Sequence, residues 1–170
     1  MSEIERIAAG THLELVRRER WEYARRRQAS GVVAIFACTA RDEVILTEQW
    51  RIPVQARVID LPAGLVGDGA DANEPLQVAA ARELTEETGF VAETWMRITS
   101  WATSPGLTDE VVTLLSATAA IRTSRGGGVE GEDIQVHLVP RGELLAWLSA
   151  RSKSGALIDP KVYVGLQLCR

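Results

Sequence analysis

The amino-acid sequence predicts a mixed α/β domain, a mixed central sheet between helical layers, with an N-terminal β arm ahead of it. Three observations carry that reading. Residues 31–37 (GVVAIFA) are an unbroken apolar run, the mark of a strand buried on both faces. Shorter strand-like runs recur along the chain, interleaved with a few helical patterns instead of segregated from them. One helical pattern carries Arg82, Glu83, Glu86 and Glu87 within little more than one turn, framed by Pro75 and Gly89.

In chain order, residues 11–16 and 21–25 read as two short polar strands around the charged turn at 17–20. They hold too few apolar residues for a core of their own, so residues 1–27 are expected to form an arm that packs on something else, with residues 28–170 as the domain. Residues 31–37 are the buried strand, and residues 43–50 (EVILTEQW) its antiparallel neighbour across a turn at 39–42. Residues 58–61 form the next strand and lead through Pro62-Ala63-Gly64 into a loop holding Gly67 and Gly69. A helix follows over 76–88, with Pro75 early and Gly89 as its C-cap. Strands are expected at 95–99, 111–117 and 134–139, with Gly126, Gly127 and Gly128 between the last two. Residues 141–152 have an amphipathic helical pattern, and Asp159-Pro160 supplies an N-cap and first helical position for a final helix.

The chain has 170 residues, 46% hydrophobic and 25% charged, which fits one domain with a sizeable core. A net charge of -4 and a pI near 5.3 argue against a general nucleic-acid binder. An anionic small substrate remains compatible, because local arginines and a metal set the field inside a site. The opening MSEIERIAAG lacks a basic region followed by an apolar run. No apolar stretch approaches the ~20 residues of a membrane helix, so the expectation is a cytoplasmic protein with no membrane partner. Cys38 and Cys169 show neither metal nor redox spacing. His12 and His137 lack a partner at ligand spacing and read as structural. Trp95, Trp101 and Trp147 read as core or dimer-interface residues.

The acids of the first helix demand more. Residues three and four apart share a helical face, so Glu83, Glu86 and Glu87 crowd together. Like charges at that spacing cost roughly 0.2–0.5 kcal/mol per pair in an isolated helix. Arg82 can relieve Glu86, but no Lys or Arg stands three or four residues from Glu83 or Glu87. Their face runs back through Ala79, Ala80 and Leu76, into small and apolar residues instead of water. A half-buried carboxylate cluster needs a cation, and a hard divalent ion such as Mg²⁺, which prefers oxygen ligands, meets the need.

These residues closely resemble the Nudix box. Glu74, seven residues, then Arg82-Glu83-Leu84-Thr85-Glu86-Glu87-Thr88-Gly89-Phe90 match it in full. Gly64 matches in type, with nine residues in place of five before Glu74, the surplus falling in the GDGADAN stretch. The flanks, Gln49-Trp50-Arg51-Ile52-Pro53-Val54 and Asp60-Leu61-Pro62-Ala63-Gly64, resemble those of ADP-ribose pyrophosphatases. So does Pro105, sixteen residues after Gly89. The glycine-rich acidic segment from Gly126 through Glu130 and Glu132 to Ile134 resembles that family's mobile loop, and Asp159-Pro160-Lys161 the opening of its terminal helix.

The resemblance implies the Nudix fold, an α/β/α sandwich. It also implies metal-dependent hydrolysis of ADP-ribose or a related nucleoside diphosphate sugar, with Mg²⁺ (or Mn²⁺) as cofactor. It assigns Glu83, Glu86, Glu87, Glu132 and the Ala63 carbonyl as metal ligands. Arg82 would hold Glu86, Glu74 would brace the loop, and Glu130 would be the catalytic base, with Glu110 its rival. Gly64 and Pro105 fall among the substrate-binding positions, and Arg51 would contact phosphate or ribose, or else form a structural salt bridge. Trp21 and Arg27 suit a nucleotide, one offering an aromatic face and the other a guanidinium fork. The resemblance further implies a homodimer in which the N-terminal strands cross to the partner and help build its site. A GDP-mannose-preferring hydrolase and a non-catalytic nucleotide-sugar-binding module are the alternatives.

Overall fold

The computed structural model describes residues 3–67, 73–129 and 132–169. The arm is a three-stranded antiparallel sheet of β1 (Glu5–Ala9), β2 (Leu13–Arg18) and β3 (Trp21–Arg26). Sequence reading missed β1, whose residues ERIAA are all exposed and carry no alternation of apolar and polar side chains. The arm docks on its own chain near residue 108: Ala24 N–H donates to the Leu107 carbonyl at 2.8 Å, and Arg26 pairs with Glu110 at 2.7 Å.

The domain is a nine-stranded mixed sheet with helices on both faces. At its centre is β4 (Gly31–Thr39), buried on both sides as its apolar run requires. Alternation sends Val33, Ile35 and Ala37 to one core, where Ala79, Ala80 and Leu84 of helix α1 (Leu76–Thr88) cover them. Ala34, Phe36 and Cys38 point the other way, into a core closed by Leu144 and Leu148 of α2 (Leu144–Lys153) and Val162 of α3 (Pro160–Leu168). Gly165 lets α3 close on that face, since a Cβ there would stand 2.3 Å from the Phe36 ring. Helix α2 begins at Leu144, after a 3-10 turn over Arg141–Glu143, three residues later than its amphipathic pattern suggests.

The expected hairpin between β4 and β5 (Glu43–Arg51) is nearly absent: the two strands pair only at Cys38 and Val44. Past that point they diverge and recruit different neighbours. Strand β4 pairs antiparallel with β7 (Ala63–Val66) and parallel with β10 (Val111–Arg122). Strand β5 pairs with β6 (Ala56–Asp60) and with β11 (Ile134–Pro140). The short β8 (Phe90–Val91) and the long β9 (Thr94–Ala102) both flank β10, while β12 (Leu157–Ile158) lies beside β6. Among the described residues, no helix is long and apolar enough to cross a membrane.

Candidate active site

The divergence of β4 and β5 opens a cavity of about 990 Å³. Its walls come from both halves of the sheet: Val32 and Val112 on one side, Gln49, Arg51, Val58 and Asp60 on the other. The acid-bearing face of α1 forms its floor, and the residues opening α3 close its far end.

Helix α1 is held against β7 by the Ala63–Gly64 backbone. Ala63 N–H donates to Glu87 Oε2 at 3.1 Å. A Cβ on Gly64 would fall 1.9 Å from Glu83 Cδ and 2.0–2.4 Å from its oxygens, so the carboxylate lies flat on bare backbone. Gly89 ends the helix in the left-handed region at φ 76°, and a Cβ there would meet the Ser124 carbonyl at 2.2 Å.

Arg82 organises the acids more fully than spacing suggested. Its Nε donates to Glu74 at 3.1 Å, and Nη1 donates to Glu83 at 2.8 Å and Glu86 at 3.2 Å. Its Nη2 reaches the Leu65 carbonyl at 3.0 Å. The expectation that Glu83 lacks a cationic partner is thereby corrected: adjacent helical residues diverge, yet the reach of Arg82 brings its guanidinium back over Glu83. Glu74 also accepts the Gly67 N–H at 3.3 Å, which ties down the start of the loop. Burial pushes the Glu87 carboxyl up to about 8. The Ala63 N–H opposes that shift, and the charges of Glu83, Asp60 and Glu132 add to it.

The donor chemistry fits a hard divalent cation. Buried carboxylates and a nearby carbonyl are oxygen ligands, and burial together with the neighbouring acids disfavours the charged form of Glu87, which a bound cation would offset. Glu83 and Glu86 are turned to Arg82, and among the described residues no three acidic, His or Cys side chains converge at metal-holding distances.

The other sequence-derived candidates divide. Arg51, Gly64, Glu110 and Glu132 line the cavity. Glu132 Oε2 accepts the Val129 N–H at 3.0 Å, and Glu110 is engaged by Arg26. Glu130 lies outside the described residues. Trp21, Arg27 and Pro105 are exposed and do not line this cavity. Arg27 instead donates to the Gly10 carbonyl at 2.7 Å, within the arm. His137 bonds the buried Glu48 at 2.8 Å, in keeping with a structural role.

Sequence reasoning missed Arg26, which lines the cavity where Arg27 does not, and the pair Asp60–Lys161. Lys161 Nζ lies 3.0 Å from Asp60 and 2.7 Å from Asp159. Burial raises the Asp60 carboxyl to about 6, against the pull of Lys161. Strand alternation could have separated Arg26 from Arg27; the Asp60–Lys161 pair spans a hundred residues and left no local signal.

Comparison with known proteins agrees with this geometry. The NUDIX domain profile matches residues 26–157. A methanol dehydrogenase activator of Bacillus methanolicus is 31% identical over 138 residues, 81% of this chain and 70% of that protein. An ADP-ribose pyrophosphatase of Bacillus subtilis is 40% identical over 82 residues, but the match spans only 48% of this chain and 42% of that protein. A GDP-mannose pyrophosphatase of Enterobacter is 30% identical over 162 residues, 91% of this chain and 78% of that protein. The crystal structure of an ADP compounds hydrolase superposes with a TM-score of 0.66, covering 85% of this chain and 80% of that one, and its 23% identity speaks for the fold alone. With the profile spanning most of its length and the box acids gathered on one cavity floor, this chain belongs to the Nudix family.

Proposed function

We propose that this protein hydrolyses the diphosphate bond of ADP-ribose or a related nucleoside diphosphate sugar, giving AMP (or another nucleoside monophosphate) and a sugar phosphate. The observation that carries the reading is the acidic face of α1, buried under Gly64 at the floor of a cavity of nucleotide-sugar size. The relatives named for ADP-ribose, ADP-sugar and GDP-mannose hydrolysis support the same substrate class.

Glu83, Glu86, Glu87, Glu132 and the Ala63 carbonyl would hold Mg²⁺ or Mn²⁺. Such ions supply charge neutralisation of the diphosphate and acidification of a water. Arg82 keeps Glu83 and Glu86 oriented, and Arg51 and Lys161 present positive charge to an anionic substrate from the wall. Glu130 takes the proton of the attacking water as oxygen bonds to phosphorus and the bridging P–O bond breaks; Glu110 is the alternative base. In a homodimer joined through the arm, Trp21 and Arg27 serve the partner's cavity, and Pro105 shapes the loop beside it. Reduced, buried Cys38 and Cys169 suit a cytoplasmic setting.

A GDP-mannose preference is the second reading, favoured by the 91% coverage of this chain by that relative. Incubation with Mg²⁺ and a panel of ADP-ribose, GDP-mannose and other nucleoside diphosphate sugars, with products separated by anion exchange, decides between them. Binding of ADP-ribose with no cleavage of any member would leave a non-catalytic binding module.

A further inference from the structure

Behind the cavity, on the other face of β5, lies a charge network that the proposed chemistry does not use. Glu48, 2% exposed, accepts from Arg151 of α2 at 2.5 Å and bonds His137 of β11 at 2.8 Å. Arg57 of β6 stands beside it, Nε 3.8 Å from Glu48 Oε1. From there Arg57 reaches over β5 to Asp133, Nη2 to Oδ2 at 2.8 Å. Its remaining nitrogen, Nη1, is buried with no hydrogen-bond partner among the described residues.

Side chains alternate along a strand, and the alternation sorts these groups. Gln49, Arg51, Val58 and Asp60 line the cavity, while Glu48 and Arg57 do not. Asp133 directly precedes β11 and follows Glu132, which does line it. Glu132 is therefore bracketed. On one side, Gly127 and Gly128 donate their N–H groups to the carbonyls of Glu87 and Glu86 at 2.8 and 3.0 Å. On the other, Asp133 is held by the Arg57 guanidinium, whose Nε stands 3.8 Å from the buried Glu48 carboxylate.

We propose that Arg57, braced by Glu48, is a positioning residue that holds Asp133 behind the sheet and so presents Glu132 to the cavity and its metal. An exposed ion pair of this kind adds little to stability, and the Asp133 side chain is 75% exposed. Its consequence lies in where Glu132 stands. The inference rests on reading Glu132 as a metal ligand.

Mn²⁺ titration followed by electron paramagnetic resonance tests it without substrate, on wild type, Glu132→Gln, Asp133→Ala, the double variant and Asp133→Glu. Glu132→Gln should weaken Mn²⁺ binding by about tenfold, and Asp133→Ala, which removes only the positioning ion pair, by about three- to fivefold. The double variant should bind no more weakly than Glu132→Gln alone, because both changes remove one contribution. Asp133→Glu should restore affinity to within about twofold, and the thermal midpoint of Asp133→Ala should stay within about 2 °C of wild type. Wild-type affinity in Asp133→Ala, additive losses in the double variant, or a loss matched by a large fall in midpoint overturns the proposal. Wild-type affinity in Glu132→Gln removes Glu132 as a ligand and the positioning role with it. Turnover of ADP-ribose by the wild type decides the proposed activity separately.

Discussion

Replacing Glu87 by glutamine should stabilise the metal-free protein while removing its response to metal. The Glu87 carboxyl ordinarily titrates near 4.5, and in the folded chain burial lifts it to about 8. The unfolded state therefore ionises first as pH rises, so stability is complete below about 4.5 and is lost progressively toward 8. At pH 7 the difference of about 2.5 pH units corresponds to about 3 kcal/mol. Glutamine keeps the shape and still accepts the Ala63 N–H, but has no proton to lose. Urea unfolding in EDTA at pH 7 should thus show Glu87→Gln to be more stable by up to about 3 kcal/mol, a gain that disappears at pH 4. Saturating Mg²⁺ should stabilise wild type and leave the variant unmoved, reversing their order. Equal stability at pH 7, or a difference independent of pH, would show that burial does not hold the Glu87 carboxyl protonated in the folded chain.

Gly64→Ala should fold normally, because the position needs no left-handed backbone, yet expel the Glu83 carboxylate from its bed; isothermal titration should find Mn²⁺ affinity reduced by about tenfold or more. Gly89→Ala meets both a left-handed φ and the Ser124 carbonyl, and should cost about 2–4 kcal/mol in urea unfolding. Glu48→Ala removes the buried carboxylate that Arg151 and His137 bond and should cost about 1–3 kcal/mol in urea unfolding, whereas a loss below about 0.5 kcal/mol would show that Arg151 finds another partner.

How far the sequence revealed this architecture depended on how local each signal was. The helix over 76–88, with its proline start, glycine cap and crowded acids, sits in one continuous stretch, and the structure reproduces it. The apolar run in β4 predicted burial on both faces for the same reason. Strand β7 was hidden because Ala63 and Gly64 follow a proline and read as loop; their strand character comes from pairing with residues 31–34 of β4. The parting of β4 and β5 after Cys38–Val44, which creates the cavity, is a matter of which neighbours compete for each edge. That competition is invisible in any short window. Likewise Asp60–Lys161 and Arg57–Asp133 join residues 101 and 76 positions apart, and only folding brings them together.

On the proposed reading, the acids beneath Gly64 support cleavage of a diphosphate bond. A ³¹P NMR time course of ADP-ribose with the protein and Mg²⁺ tests it most directly. The two diphosphate resonances should give way to those of two phosphomonoesters, AMP and ribose 5-phosphate, and EDTA or Glu87→Gln should stop the change. Diphosphate signals that persist while titration calorimetry shows ADP-ribose bound would contradict it.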